Sequence, residues 1–331
     1  MTSNRLIAEL ADLPSSLTEA RLAALRIAVL VPCYNEAAAI EQVITGFRQA
    51  LPQARILVFD NNSTDDTVAI ARRAGAETRH VHRQGKGNVV RRMFADVEAD
   101  LYLLVDGDAT YDAASAPRLI EKLLAEELDM VVGARKDTAT EAYRPGHRFG
   151  NRVLTEFVAR IFGRAFNDIL SGYRVFSRRF VKSFPALSIG FEIETELTIH
   201  ALELRMPIAE VETPYYARPA GSASKLNTWR DGFRILRMIL RLYQLQRPLS
   251  FFSTIAGVLA AAAIILAIPV LVTYIETGLV PRLPTAILST GLMLLASLSL
   301  TCGLILDNVT RGRQEMKRLF YLGIEGIRRD R

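Results

Sequence analysis

The sequence predicts an α/β domain with a mostly parallel sheet flanked by helices, followed by two helices that cross a membrane. Three observations predict it. From Arg26 onward short apolar runs alternate with polar turns and helical periods, acidic residues recur where the apolar runs end, and two long stretches near the C-terminus carry no charge. The chain has 331 residues, with 41 Lys or Arg, 35 Asp or Glu, a formal net charge of +6 and 50% hydrophobic residues. That composition excludes a disordered or collagen-like chain and supplies ample length for a core. Cys33 and Cys302 lie far apart, which excludes a disulfide framework or a clustered zinc motif and points to a reducing setting. His80 and His82 have no Cys or carboxylate cluster beside them, so a histidine metal site is not expected.

Taken in order, residues 1–25 are interrupted by Arg5, Glu9, Asp12, Glu19 and Arg21, unlike a signal peptide, and read as a helical extension. The domain proper is expected over 26–227. Its strands are expected at Ile27 to Val31, Ile56 to Asp60, Leu101 to Asp106 and Met130 to Gly133, with helices at Ala38 to Leu51 and Thr67 to Gly75. Ligands of an open α/β sheet bind beyond the carboxyl ends of its strands, so the residues at those ends matter most. The first strand ends in Val31-Pro32-Cys33-Tyr34-Asn35-Glu36, with no glycine-rich turn of the GxGxxG type, which argues against a dinucleotide fold. The second ends at Asp60, whose carboxylate suits a ribose or a base. Thr64, Asp65 or Asp66 can cap the helix that follows.

The third strand runs into Asp106-Gly107-Asp108. Two carboxylates two residues apart face one way if the chain stays extended, and hard oxygen ligands suit Mg²⁺ or Mn²⁺ bound with phosphate. Gly85-Lys86-Gly87-Asn88 combines close backbone approach with one ammonium, and Arg135, Arg148, Arg174 and Arg218 add cations for several phosphates. Glu192, Glu194 and Glu196 alternate if the segment is extended; if it is helical, Glu192 and Glu196 share a face.

Residues 248–275 and 283–306 contain no charge, and each exceeds the roughly 20 apolar residues that cross a bilayer. Residues 218–247 hold seven Lys or Arg and one Asp, and residues 307–331 hold seven Lys or Arg and four acids. The positive-inside rule therefore makes 248–306 a hairpin with both basic flanks, the N-terminal domain and both termini cytoplasmic. Over 228–247, Trp229, Phe233, Leu236, Leu240 and Tyr243 run beside Arg230, Arg234, Arg237 and Arg241, which suits an amphipathic helix on an anionic bilayer surface or a connector packed on the domain.

The order of Val31-Pro32-Cys33-Tyr34-Asn35-Glu36, Asp60, Gly85-Lys86-Gly87, Asp106-Gly107-Asp108 and Ser171-Gly172-Tyr173-Arg174 resembles the family-2 inverting glycosyltransferases. Within them it resembles the polyprenyl-phosphate branch, relatives of dolichyl-phosphate mannose synthase, over about Arg26 to Trp229. The resemblance implies a GT-A nucleotide-sugar-binding domain ahead of the interfacial helix and two transmembrane helices. It implies that Pro32, Tyr34, Glu36, Asp60, Lys86, Asp106, Arg135 and Arg148 bind the nucleotide sugar. Asp106 and Asp108 match the Mg²⁺ or Mn²⁺ pair; Asp106, Asp108, Asp168 and Arg174 match catalytic positions. Ser171, Arg174, Arg218, Ser222 and Lys225 match positions for the acceptor phosphate, the last two within a stretched Gly221-Ser222-Ala223-Ser224-Lys225-Leu226 run. Glu192 and Glu194 are expected to orient a phosphate-binding arginine or to serve the fold alone. Asp-Gly-Asp continues into Ala109-Thr110-Tyr111 where relatives carry Asp-Leu-Gln, so no third ligand is implied. The Gln-x-x-Arg-Trp motif of processive synthases is missing, which argues against polymerisation.

The expected reaction is transfer of one hexose, from UDP-glucose or GDP-mannose, to undecaprenyl or another polyprenyl phosphate at the cytoplasmic (inner) membrane, with inversion. A lipid monophosphate with a second pKa of about 6 is already largely dianionic, so it needs cations around it more than a strong base. The expected partners are the donor, the acceptor lipid and the bilayer, with no nucleic acid. A homo-oligomer is compatible with the sequence, and a separate flippase and a downstream glycosyltransferase would handle the product. The alternatives are transfer to another membrane lipid and a catalytically silent, membrane-tethered binding module.

Overall fold

The computed structural model describes residues 24–137, 156, 168–190, 192–219, 237, 240–241 and 243–326. The chain forms two compact units, Met1–Trp229 together with Leu319–Arg331, and Arg230–Arg318.

In the first unit β1 (Ile27–Cys33), α1 (Ile40–Ala50), β2 (Arg55–Asp60), α2 (Thr67–Arg73), β3 (Glu77–His80), α3 (Lys86–Asp96) and β4 (Leu101–Leu104) alternate. They are followed by α4 (Ala116–Ala125), β5 (Met130–Asp137), β6 (Arg174–Ser177), α5 (Arg178–Ser183), α6 (Ile193–Glu203) and β7 (Ile208–Tyr215). The seven strands form one sheet in the order β3-β2-β1-β4-β6-β5-β7. All neighbours are parallel except β6, which is antiparallel to both β4 and β5.

The apolar pattern explains the layers. Ile40, Val43, Ile44 and Phe47 of α1, with Leu119, Ile120 and Leu123 of α4, are buried against Val29, Val31, Val58 and Leu103. The alternate residues Ala28, Leu30, Leu57, Phe59 and Tyr102 are buried as well, so the central strands are covered on both faces and read as continuous apolar runs. The expected strands and the two expected helices are present with shifted ends: β1 reaches Cys33, β4 stops at Leu104 and β5 continues to Asp137. Three strands were not expected. β3 is half-exposed, while β6 and β7 follow segments whose motifs draw attention away from their backbone. Lys86 opens a helix, and so does the segment after Glu192, which settles the spacing of its three glutamates as helical.

The second unit contains α7 (Pro248–Thr277) and most of α8 (Leu283–Leu322). Both are long and apolar enough to span a membrane, with exposed Val258, Ile264, Leu271, Ile287 and Leu298 along them. Six of their hydroxyls are satisfied within their own helix: Thr254, Thr273, Thr277, Thr290, Ser297 and Thr301 each donate to the carbonyl four residues back. Ser299 Oγ donates across to Phe252 O at 3.1 Å. α7 ends at Gly278, which adopts the left-handed φ of 70° of a helix stop. α8 passes the expected end of the apolar stretch at 306 and stays helical to Leu322.

Candidate active site

The register of the parallel strands sets the site. Cys33 pairs with Asp60 and Leu30 with Leu104, so the chain leaves β1, β2 and β4 side by side at one edge of the sheet. Gly107 closes the gap between the first and third of these turns. A Cβ at Gly107 would lie 2.6 Å from Cys33 Sγ, so a larger residue there would push the Asp106 and Asp108 turn off β1. Burial raises the Cys33 thiol well above its ordinary pKa.

The turns after β1 and β2 are stitched together. Asn35, at a φ of 54°, accepts from Thr64 N at 2.8 Å, and its own N–H donates to Ser63 Oγ at 2.9 Å. Glu36 N donates to Thr67 Oγ1 at 2.9 Å, while Asp65 accepts from Ala37 N and from Thr67 N, both at 3.1 Å. Burial works against the Asp65 charge, but hydrogen bonds from Thr67 and Ala37 outweigh it and hold its pKa below the ordinary carboxylate value. Asp60 is buried, accepts from Ser63 N at 3.1 Å and meets His80 Nδ1 at 3.0 Å. Tyr34 is exposed, and Pro32 and Glu36 are half-buried beside it.

Sequence reasoning missed Asn61. Its amide donates to Val81 O and Arg83 O, both at 2.9 Å, and accepts from Gly85 N at 2.7 Å, fixing the approach to Lys86. The available signal was the Asn61-Asn62 pair, whose side chains can satisfy loop backbone groups.

Lys86 is half-buried where α3 begins, and its Nζ lies 2.5 Å from Asp106 Oδ1 and also pairs with Glu194. Burial opposes this ammonium, but the two carboxylates outweigh it and raise its pKa. Burial pushes the pKa of Glu194 up, against the pull of Lys86. Gly172 backs Asp106 from another side, since a Cβ there would lie 2.5 Å from Asp106 Oδ2. Asp108 Oδ1 accepts from Thr110 N at 3.2 Å and Thr110 Oγ1 at 2.6 Å, and Oδ2 pairs with Arg218 at 2.8 Å. Burial, then the nearby charge of Asp106, raises the pKa of Asp108.

Asp106 and Asp108 suit a divalent ion that completes its shell with substrate phosphate, because Mg²⁺ is usually held by one or two carboxylates plus phosphate oxygens. Among the described residues no cluster of three or more His, Cys, Asp or Glu side chains forms a protein-only cage.

Arg135 and Asp168 were expected in separate roles and form one bidentate pair, with Nε and Nη2 at 2.7 and 2.8 Å from the carboxylate. Asp168 N donates to Glu210 Oε1 at 2.9 Å, and the Arg135 guanidinium lies 5.5 Å from the Tyr215 ring centre. Two of the residues expected at the acceptor phosphate are buried. Arg174, expected on the acceptor phosphate and in catalysis, is 0% exposed. Its guanidinium donates to Ser171 O at 2.9 Å, Ile169 O at 2.7 Å and Thr198 Oγ1 at 2.9 Å, and burial pushes its pKa down to about 10. Ser171, expected beside it, is also fully buried and donates to Gly133 O at 2.6 Å. Both organise the loop that carries Gly172. Glu192 is the residue that precedes α6, and Glu196 accepts from Leu187 N and Ser188 N at 2.8 and 2.7 Å. Arg148, Ser222, Lys225, residues 1–23 and most of the expected interfacial helix lie outside the described residues.

The model of glycosyl transferase family 2 matches residues 28–184, from β1 to the end of α5. Glycosyltransferase AglJ of Haloferax volcanii is 33% identical over 296 residues, covering 88% of this chain and 97% of AglJ. The chain belongs to glycosyl transferase family 2. It is a glycosyltransferase with a GT-A fold. Protein RfbJ of Shigella flexneri is 58% identical over 123 residues, covering 37% of this chain and 95% of RfbJ. Among solved structures, glucosyl-3-phosphoglycerate synthase of Mycobacterium tuberculosis in complex with Mn²⁺ and UDP-glucose is 25% identical. It aligns with a TM-score of 0.57 over 69% of this chain and 82% of the synthase. Within this glycosyltransferase the matched region contains Asp60, Lys86, Asp106, Asp108, Arg135 and Asp168, whereas Glu194 and Arg218 fall beyond it.

Proposed function

We propose that this glycosyltransferase moves a single hexose from a nucleotide sugar, UDP-glucose or GDP-mannose, to a polyprenyl phosphate at the cytoplasmic face of the membrane, with inversion. The observation that carries the reading is one chain holding the paired Asp106 and Asp108 carboxylates, with Lys86 and Arg218 against them, and two helices long and apolar enough to span a bilayer. The Mn²⁺ and UDP-glucose in the mycobacterial synthase support the donor class and the metal. Asp106 and Asp108 would hold Mg²⁺ or Mn²⁺, which when bound neutralises charge on the departing diphosphate.

The chain's own residues supply the rest. Lys86 holds Asp106 in place. Asp60, with Tyr34 and Pro32 beside it, offers an acceptor to the nucleoside. Arg218 and Arg135 bring positive charge to two anionic substrates, which must approach within bonding distance for a single in-line displacement. A dianionic acceptor oxygen attacks the anomeric carbon without surrendering a proton, so no general base is required of the site.

The test is transfer from a panel of radiolabelled nucleotide sugars to undecaprenyl phosphate by detergent-purified protein, with Mg²⁺, Mn²⁺ or chelator, counting label in the organic phase. Metal-dependent label from one donor is expected. Label that appears only with another lipid, such as a diacylglycerol, would replace the acceptor, and no label with any lipid would overturn transfer in favour of a binding module.

A further inference from the structure

At the end of β5 and β6 away from Arg135 lies a second buried ionic cluster that the transfer reaction does not use. Asp129, 1% exposed, precedes β5, and Ser177 ends β6. Asp129 Oδ1 accepts from Ser177 Oγ at 2.6 Å and from Arg179 Nε at 3.1 Å. Its Oδ2 accepts from Arg179 Nη2 at 2.9 Å and from the hydroxyl of Tyr321 at 2.7 Å. Tyr321 comes from the last turn of α8, which together with the residues after it belongs to the catalytic unit. The Arg179 guanidinium lies 4.4 Å from the Tyr321 ring centre, within cation–π range. Tyr321 is buried, whereas its neighbours Leu319, Phe320 and Leu322 are 65%, 67% and 65% exposed. The contact is therefore made by one chosen side chain and not by general apolar packing. Gly326 reaches the same place: a Cβ on it would lie 3.5 Å from Arg179 Nη1, beside a small cavity lined also by Leu124, Glu127 and Leu128.

We propose that Asp129, Ser177 and Arg179 form a docking site for the chain's own C-terminal segment, Leu319–Gly326, with Tyr321 as its key. The chemistry is specific. A buried carboxylate needs strong donors on both oxygens, and the tyrosine supplies one while its ring covers the guanidinium that, with the Ser177 hydroxyl, supplies the others. The catalytic unit is thereby discontinuous: it begins before the two apolar helices and is completed after them.

The test reads docking directly and is independent of any sugar transfer. In full-length Cys302→Ser/Gly326→Cys protein, maleimide labelling of position 326 is timed in detergent. Slower labelling is expected with Tyr321 intact, because docking sets position 326 against Arg179. Tyr321→Ala should speed labelling about tenfold or more, the shift expected when a hydrogen bond to a carboxylate is lost. Tyr321→Phe, which keeps the ring over Arg179 and is the safer variant for folding, should fall between the two. A synthetic peptide of residues 317–331 should compete and raise the labelling rate, while the same peptide with Tyr321→Ala should not. Equal labelling rates in the parent and Tyr321→Phe and Tyr321→Ala proteins would overturn the docking site, as would equal effects of the two peptides.

Discussion

The half of the sheet made of β3, β2, β1 and β4 builds its part of the site differently from the half made of β6, β5 and β7. In the first half every strand is parallel, and Asp60, Asp106 and Asp108 follow directly from the carboxyl ends of their own strands. In the second half one strand is reversed, and the buried Arg174 serves the chain itself, holding the carbonyls of Ser171 and Ile169. On the proposed function, a charged residue in a motif has two uses: at the carboxyl end of a parallel strand it meets a ligand, and where the chain folds back over it, it braces a loop.

The strongest way to break this contrast is at Arg174. Arg174→Met should unfold the protein at markedly lower temperature, with a cost of about 3–5 kcal/mol, since it strips the buried loop of a charged donor to several acceptors. If thermal melting were unchanged and only transfer failed, Arg174 would belong with the ligand-facing group. The second test is Asp108→Asn, which should lower transfer by about 10²–10³-fold, the scale for losing one electrostatic element of a transition state. Its melting temperature should hold, because burial already raises the pKa of Asp108 and the ionised form is costly there. A collapse of stability instead would make Asp108 a brace like Arg174.

The smallest effect is expected at Asp100, near the opposite ends of β1 and β4, where Arg26 pairs with it at 2.8 Å on the surface. Asp100→Asn should cost about 0.2–1 kcal/mol near neutral pH. Hydrogen bonds from Arg26 hold the pKa of Asp100 below the ordinary value. Its stabilisation is therefore full above about pH 4 and lost as pH falls through the lowered folded value, so the wild-type and variant melting curves should converge in acid. A gap that persists below pH 2 would show a role other than the ion pair.

The same contrast governs what the sequence reveals. β1, β2 and β4 are legible because each is a local apolar run that stops at an acidic residue, so both strand and site are written within a few positions. Lys86 was legible as a cation near phosphate. Its partners were not, since Asp106 and Glu194 reach it only through the register of β4 and the placement of α6. Arg174 lies in a motif that resembles a ligand-binding one, and nothing in that motif reveals its bond to Thr198 of α6. The reversal of β6 could not be read at all: four residues carry no direction in their hydrophobic pattern.

The bond between Tyr321 and Asp129 joins positions 192 apart. A ribosome working from the N-terminus delivers every strand of the sheet before either apolar helix, and delivers Tyr321 only after both. Contacts at such separation form late. The nascent catalytic unit must therefore wait, with Asp129 and Arg179 uncovered, until the hairpin has left the ribosome, and maturation of the enzyme is timed by the disposal of its most apolar segment.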